Sequence, residues 1–427
     1  MRELPLRHAR VTAFGSTRRA GVAAERDPNL RAILDSGVQA AALVGKSWDF
    51  HVTKALRTTL EENLAMIRDS VAFLKRQGLE VIYDAEHFFD GYKRNPDYAL
   101  QTLLAAAEAG ADILVLCDTN GGSLPYELAE TVAAVRERVG LPLGIHTHND
   151  GGLGVANTLM AVRAGAVHVQ GTINGYGERC GNADLCQVIP NLQLKMGYRC
   201  VTPEALATLS ELSRFVSELA NLPPNDRQPF VGRSVFAHKG GIHVSALLRH
   251  PDTYEHIRPE LVGNRRRVLV SELSGASNLI YKVQEFNLPL DRNSPALRRV
   301  VEQIKELEHQ GYLFEGADGS LELLMRKAAG LYTPYFEALS LRVMVDKPLP
   351  ERDFEVEATL KVRVGDAVVH TAAEGNGPVH ALDNALRKAL EGIYPALAHI
   401  QLTDYKVRVI NGGAGTGARV RVLIESA

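Results

Sequence analysis

The chain has 427 residues, with 48 Lys+Arg against 50 Asp+Glu and a formal net charge of −2. That balance excludes strong whole-chain attraction to nucleic acid or to acidic membranes, and 45% hydrophobic with 23% charged residues excludes a disordered chain. No apolar run reaches the roughly 18 residues of a membrane-spanning helix. The N-terminus carries no signal-peptide core, and Cys117, Cys180, Cys186 and Cys200 form no C-x-x-C pair, so a cytoplasmic protein without a disulfide framework is expected.

In chain order, strand-like apolar runs fall at Arg10–Phe14, Ala40–Val44, Glu80–Asp84, Ile113–Cys117, Leu143–Thr147 and His168–Gly171. Helical patterns lie between them. Leu60, Leu64, Ile67, Val71 and Leu74 recur on one helical face and stop at Gly78. Asn95-Pro96 caps and opens a second helix, Pro125 opens a third, and a fourth runs from Gly154 to Gly165. The strand runs are continuous rather than alternating, which predicts a parallel sheet of βαβ units buried on both faces. Polar residues gather where each strand ends: Glu86, Thr119, Asn120, His146, His148, Thr172 and Asn174. In barrels and open α/β sheets that end binds ligands.

A helix is expected over Val201–Glu218, then a break at Leu222-Pro223-Pro224-Asn225-Asp226. Pro229–Ala338 reads as mostly helical with loops. From Leu339 the texture changes to strands at Leu339–Val345, Glu355–Val364 and Ala367–Thr371, a helix from Gly375-Asn376-Gly377-Pro378 to Glu391, and strands at Tyr405–Ile410 and Arg419–Ile424. This predicts an α+β domain. The domains are therefore placed at 1–200, 201–338 and 339–427. Gly412 to Gly417 reads as a hairpin connection, because no helix follows it to make a phosphate loop.

Ile145-His146-Thr147-His148-Asn149-Asp150 carries the sharpest chemistry. Residues i and i+2 of a strand face the same way, so two imidazoles converge at the strand end, half of a divalent-metal site. Gly181-Asn182 in the next loop adds a hard amide oxygen suited to Mg²⁺ or Mn²⁺ and acceptable to Zn²⁺. Glu86, just past a strand, suits metal ligation or acid/base work, or else is a solvated loop carboxylate. Thr119 has a hydroxyl for a substrate carboxylate, and His243 in His238-Lys239-Gly240-Gly241-Ile242-His243 suits a general base.

These pieces resemble the family of 2-isopropylmalate, homocitrate and citramalate synthases. The resemblance rests on Ala13-Phe14-Gly15-Ser16-Thr17-Arg18-Arg19, Gly45-Lys46-Ser47-Trp48-Asp49, Asp84-Ala85-Glu86-His87-Phe88-Phe89-Asp90-Gly91, Cys117-Asp118-Thr119-Asn120-Gly121-Gly122 and Gly171-Thr172-Ile173-Asn174-Gly175-Tyr176-Gly177-Glu178-Arg179. The first and third of these stretches point to the citramalate branch. The resemblance implies a (β/α)8 TIM barrel, a helical intermediate region and an α+β regulatory domain. It implies a Claisen-type condensation of acetyl-CoA with pyruvate, followed by thioester hydrolysis, with a divalent metal (Mg²⁺, Mn²⁺ or Zn²⁺) and a homodimer. His146, His148 and Asn182 match the metal ligands, Glu86 the active-site carboxylate, and Thr119 the threonine that holds the keto acid. His243 and Tyr254 match catalytic residues of the intermediate region. Gly375, Asn376 and Gly377 match the start of a helix suited to an amino-acid effector.

The family also opens on a strand with an Asp-Thr-Thr-Leu-Arg-Asp-Gly-type motif, which this sequence lacks. Its six strand runs align from the third barrel strand onward, so the barrel is expected without its first two strands and the regulatory domain without its last elements. On that reading Met1 is an internal methionine, the open edges invite aggregation, and this polypeptide alone is inactive. The competing readings are 2-isopropylmalate synthase, acting on 2-oxoisovalerate, a barrel lyase or aldolase, and a non-catalytic amino-acid-binding fragment.

Overall fold

The structure, a computed structural model, describes residues 6–270, 276–291, 294–347 and 354–427. The reading of Met1 falls outside them. The chain divides into two compact units, one of residues 1–236 with 255–266, the other of residues 237–254 with 267–427.

The first unit is built on six parallel strands in sequential order: β1 Thr12–Ser16, β2 Ala40–Lys46, β3 Glu80–Glu86, β4 Ile113–Asp118, β5 Leu143–Thr147 and β6 His168–Gln170. Each predicted strand is present, several reaching one or two residues further than their apolar run. The extension is hydrogen bonding: Lys46 pairs with Glu86 and Asp118 with Thr147, so polar residues complete ladders that apolar ones begin. Asp27, Thr59 and Asn95 accept backbone N–H groups at the starts of helices Pro28–Asp35, Leu60–Arg76 and Pro96–Glu108. The helices bury Ile67, Val71, Leu74, Leu103, Leu128 and Val132 against the sheet's outer face.

The sheet is curled. Three strand spacings separate β3 from β6, roughly 14 Å if flat, yet the Asp84 and Gln170 side chains are hydrogen bonded at 2.9 Å. Curvature brings them together, and the arrangement is a half-barrel with β1 and β6 at its two ends. On β1, Phe14 is 69% exposed. The helix expected over Val201–Glu218 is two, Pro203–Leu206 and Leu209–Leu219. The break lies where the turn at Val262 and Gly263 packs in: Ser210 Oγ donates to Val262 O at 2.7 Å, and a Cβ on Gly263 would sit 2.1 Å from Ala207 O.

The second unit has a helical part and a sheet part. Strands β7 Ala237–His238 and β8 Arg267–Val268 form a short parallel pair. Helices Ala276–Glu285, Pro295–His309 and Asp318–Ala328 share a core of Leu279, Leu297, Val300, Ile304, Leu321 and Met325. Strands β9 Glu337–Asp346, β10 Glu355–Val364 and β11 Ala367–Gly375 form an antiparallel sheet, β11-β10-β9, covered by helix Pro378–Leu390. β12 Leu402–Val409 and β13 Val420–Ser426 form a hairpin, and Gly412–Gly417 connects them as short turns. No helix among the described residues is long and apolar enough to cross a membrane.

Candidate active site

The C-terminal ends of the half-barrel strands carry the predicted set. His146 lies on β5 and His148 just after it, and His148 forms an isolated antiparallel bridge with Asn182. Asn149 N–H to Gly181 O and Ala183 N–H to Thr147 O, both 2.9 Å, tie the Asn182 loop to the same strand end. The His146 and His148 Nε2 atoms face each other at 3.2 Å. Burial, and secondarily the neighbouring His148, lower the pKa of His146, which favours the neutral ligand form.

Both outer nitrogens are committed. His146 Nδ1 meets Gln170 Oε1 at 2.8 Å, and His148 Nδ1 meets the Thr119 carbonyl at 2.6 Å. A carbonyl oxygen only accepts, so His148 Nδ1 carries the proton; Arg179 Nη2, at 2.9 Å from the same nitrogen, gives its hydrogens to Thr119 O and Asp150. Two Nε2 lone pairs therefore point into one space. Asn182 joins them: its Nδ2 donates to Tyr176 O at 3.0 Å, while its Oδ1 is buried without a hydrogen-bond partner. A Cβ on Gly177 would sit 2.2 Å from Asn182 Nδ2, so that glycine makes room for the side chain.

Two facing lone pairs and an orphaned amide oxygen fit a divalent cation. The donor set is neutral, and among the described residues no group of three or more His, Cys, Asp or Glu is placed to hold a metal. A neutral partial set leaves room and charge for an anionic, chelating substrate.

Glu86 ends β3, and its carboxylate is ion-paired with Lys46, its register partner on β2. Thr119 Oγ1 accepts the His87 backbone N–H at 2.8 Å, which leaves its own proton to donate. Sequence reasoning missed Lys46, Gln170, Asp84 and Arg179. For Lys46 and Gln170 the signal was available, since strand register places Lys46 beside Glu86 and Gln170 beside His146. Arg179 clamps Asp150 with two hydrogen bonds, 2.7 and 2.9 Å, and so holds the His148 loop. Trp48, His51 and His87 form a ring cluster, with the two imidazole centroids 4.0 Å apart.

His243 and Tyr254 belong to the second unit, where their rings stack at 4.1 Å. Gly375 ends β11, Gly377 precedes the helix at Pro378, and the Asn376 amide donates to His380 Nδ1 at 3.1 Å.

Burial raises the pKa of Asp118 and of Asp84. Asp84 is 5% exposed, and desolvation raises its pKa from 3.8 to about 6 despite the hydrogen bond from Gln170. An acid whose folded pKa is raised favours folding fully below its unfolded pKa, and that contribution is lost as pH rises through the folded value. Asp84 is expected to cost on the order of 3 kcal/mol across pH 4 to 6. Urea melts of Asp84→Asn should show a pH 4-to-8 stability difference about that much smaller than wild type; equal slopes would contradict it.

Residues 8–216 match the HMGL-like family, residues 230–312 the homocitrate synthase post-HMGL domain-like family, and residues 315–427 the LeuA allosteric (dimerisation) domain. The first of these covers the six strands of the half-barrel and the strand ends that carry His146, His148 and Asn182. The chain is 57% identical to an (R)-citramalate synthase of Geobacter sulfurreducens, over 99% of this chain and 80% of that protein. It is 55% identical to one of Synechocystis, over 100% and 80%. A probable 2-isopropylmalate synthase of Methanopyrus kandleri is 33% identical, over 93% and 77%. The chain belongs to the (R)-citramalate synthase family.

Proposed function

We propose that this chain performs an (R)-citramalate-forming condensation of acetyl-CoA with pyruvate, on a divalent cation held by His146, His148 and Asn182. The observation that carries the reading is that the His146 and His148 Nε2 atoms face each other at 3.2 Å while the loop tied to the same strand end carries the buried, unpartnered Asn182 oxygen. When bound, the cation supplies Lewis acidity that polarises the keto carbonyl. The Thr119 hydroxyl donates to the keto-acid carboxylate and so orients the substrate. Lys46 is ion-paired with the Glu86 carboxylate where strands β2 and β3 end, and so fixes the position of that carboxylate. The acetyl methyl group gives a proton to a base, the resulting carbanion adds to the keto carbon, the former keto oxygen takes up a proton to become the product hydroxyl, and water cleaves the thioester to a carboxylate with release of CoA as the thiol. Glu86, with His243 and Tyr254 from a second subunit, is assigned to activating that water.

The LeuA allosteric (dimerisation) match over residues 315–427 supports a homodimer with an allosteric domain, and we assign an amino-acid effector to Gly375, Asn376 and Gly377. The helix that starts at Pro378 suits an effector carboxylate.

The test is free-thiol release from acetyl-CoA with Mn²⁺ and a panel of 2-keto acids. It is run on this chain, with the Geobacter sulfurreducens (R)-citramalate synthase as the positive control. Pyruvate is expected to exceed 2-oxoisovalerate about tenfold or more in kcat/KM. Preference for the branched acid makes the activity that of a 2-isopropylmalate synthase. No thiol release by this chain with any keto acid, while the control is active, leaves the amino-acid-binding reading in its place.

A further inference from the structure

We propose that Asp84 is a positioning residue: acting through Gln170, it sets the tautomer of His146 and so keeps that ring's Nε2 lone pair aimed into the ligand space. The proposal rests on the cation-binding reading of His146 and His148, and adds to it the device that prepares one of the ligands.

The relay is a chain of donors and acceptors. Above its pKa of about 6, Asp84 is a carboxylate and only accepts. Gln170 therefore turns its Nε2 toward Asp84, where it donates at 2.9 Å. That leaves Gln170 Oε1 toward His146 Nδ1, at 2.8 Å. An amide oxygen only accepts, so His146 Nδ1 must carry the proton. A neutral imidazole carries one proton, so Nε2 bears the lone pair. Flipping the Gln170 amide would set its oxygen against the Asp84 carboxylate and its NH₂ against His146, leaving two acceptors facing each other in a buried place.

Strand register supplies the second half of the geometry. Gln170 is the register partner of His146 on the adjacent strand, so the amide is beside the ring by construction. Asp84 is three strands away on β3 and reaches Gln170 only across the concave face of the curled sheet. His148 reaches the same tautomer separately, through the Thr119 carbonyl. The two ligands are thus prepared by different parts of the fold, one by backbone and one by a side-chain relay. Interposing an amide between carboxylate and imidazole fixes the ring while keeping the negative charge one residue further from the ligand space.

The test reads the tautomer directly. Metal-free protein labelled with ¹⁵N at histidine is examined at pH 8 by two-bond ¹H–¹⁵N correlation, with His146 assigned by its loss in His146→Asn. Wild type is expected to show His146 protonated at Nδ1. In Asp84→Ala the amide is released, a substantial Nε2-protonated population is expected, and Mn²⁺ affinity by calorimetry falls about tenfold. In the double variant Asp84→Ala/Gln170→Glu the carboxylate accepts from Nδ1 itself, so the wild-type tautomer and most of the affinity return. A packing role for Asp84 would not predict that rescue. If Asp84→Ala does not fold, Asp84→Val is read in its place. An Nε2-protonated His146 in wild type overturns the proposal, as does an unchanged tautomer in the single variant or no rescue in the double. A wild-type chain with the expected tautomer, the expected variant shifts and no Mn²⁺ binding upholds the relay and removes the cation-binding reading instead.

Discussion

Replacing His148 with alanine is expected to lower Mn²⁺ affinity about 100-fold or more and to bring thiol release to background. The remaining donors would be one imidazole and one neutral amide oxygen, since the set holds no carboxylate to compensate. The fold should barely respond. His148 is only partly buried and follows its strand, and the interaction lost is its hydrogen bond to Thr119 O, worth about 1 kcal/mol. Calorimetric Mn²⁺ titration beside a thermal melt separates the two effects. A variant that melts like wild type and binds Mn²⁺ equally well would remove His148 from the ligand set.

Gly181→Ala is expected to cost both stability and metal affinity. Gly181 has φ +88°, and a Cβ there would lie 2.0 Å from the Gly175 carbonyl oxygen. The obstacle is backbone, held by the Asn182 N–H to Gly175 O hydrogen bond at 2.9 Å, so no side-chain rotation relieves it. Left-handed strain of about 1–2 kcal/mol adds to the clash, for a total above about 3 kcal/mol. At about 2–4 °C per kcal/mol for a unit of this size, the first unit should melt some 6–12 °C lower. If the loop instead opens locally, Asn182 next door is displaced and Mn²⁺ binding falls while the melt holds. Gly140→Ala is the control, because a Cβ there meets nothing within 4 Å. Wild-type behaviour in both assays would mean that the Gly175–Gly181 turn does not position Asn182.

Much of this protein was legible in its amino-acid order. The alternation of apolar runs with helical periodicity yielded all six strands of the half-barrel in their order. Asn95-Pro96 marked a helix start that the structure caps as expected. His146, His148 and Asn182 were recognised as one candidate set and are brought together. The failures have physical causes. Val201–Glu218 has the periodicity of one helix, and the turn at Gly263, some 55 residues later, interrupts it. Glu86 read as a lone carboxylate because its partner Lys46 lies on another strand.

Period, caps and the His-x-His step are written in neighbouring residues, and local backbone geometry turns them directly into direction. They were therefore readable from the order of residues. The Asp84–Gln170 contact spans 86 positions in the chain, and the Arg179 clamp on the Thr119 carbonyl spans 60. Those distances close only because the sheet curls and the loops fold back over its ends. Burial, tautomer and the orphaned Asn182 oxygen follow from that closure, and no local pattern encodes them. His146, His148 and Asn182 were readable from order, and their burial and hydrogen-bond partners, Gln170 among them, were decided by curvature.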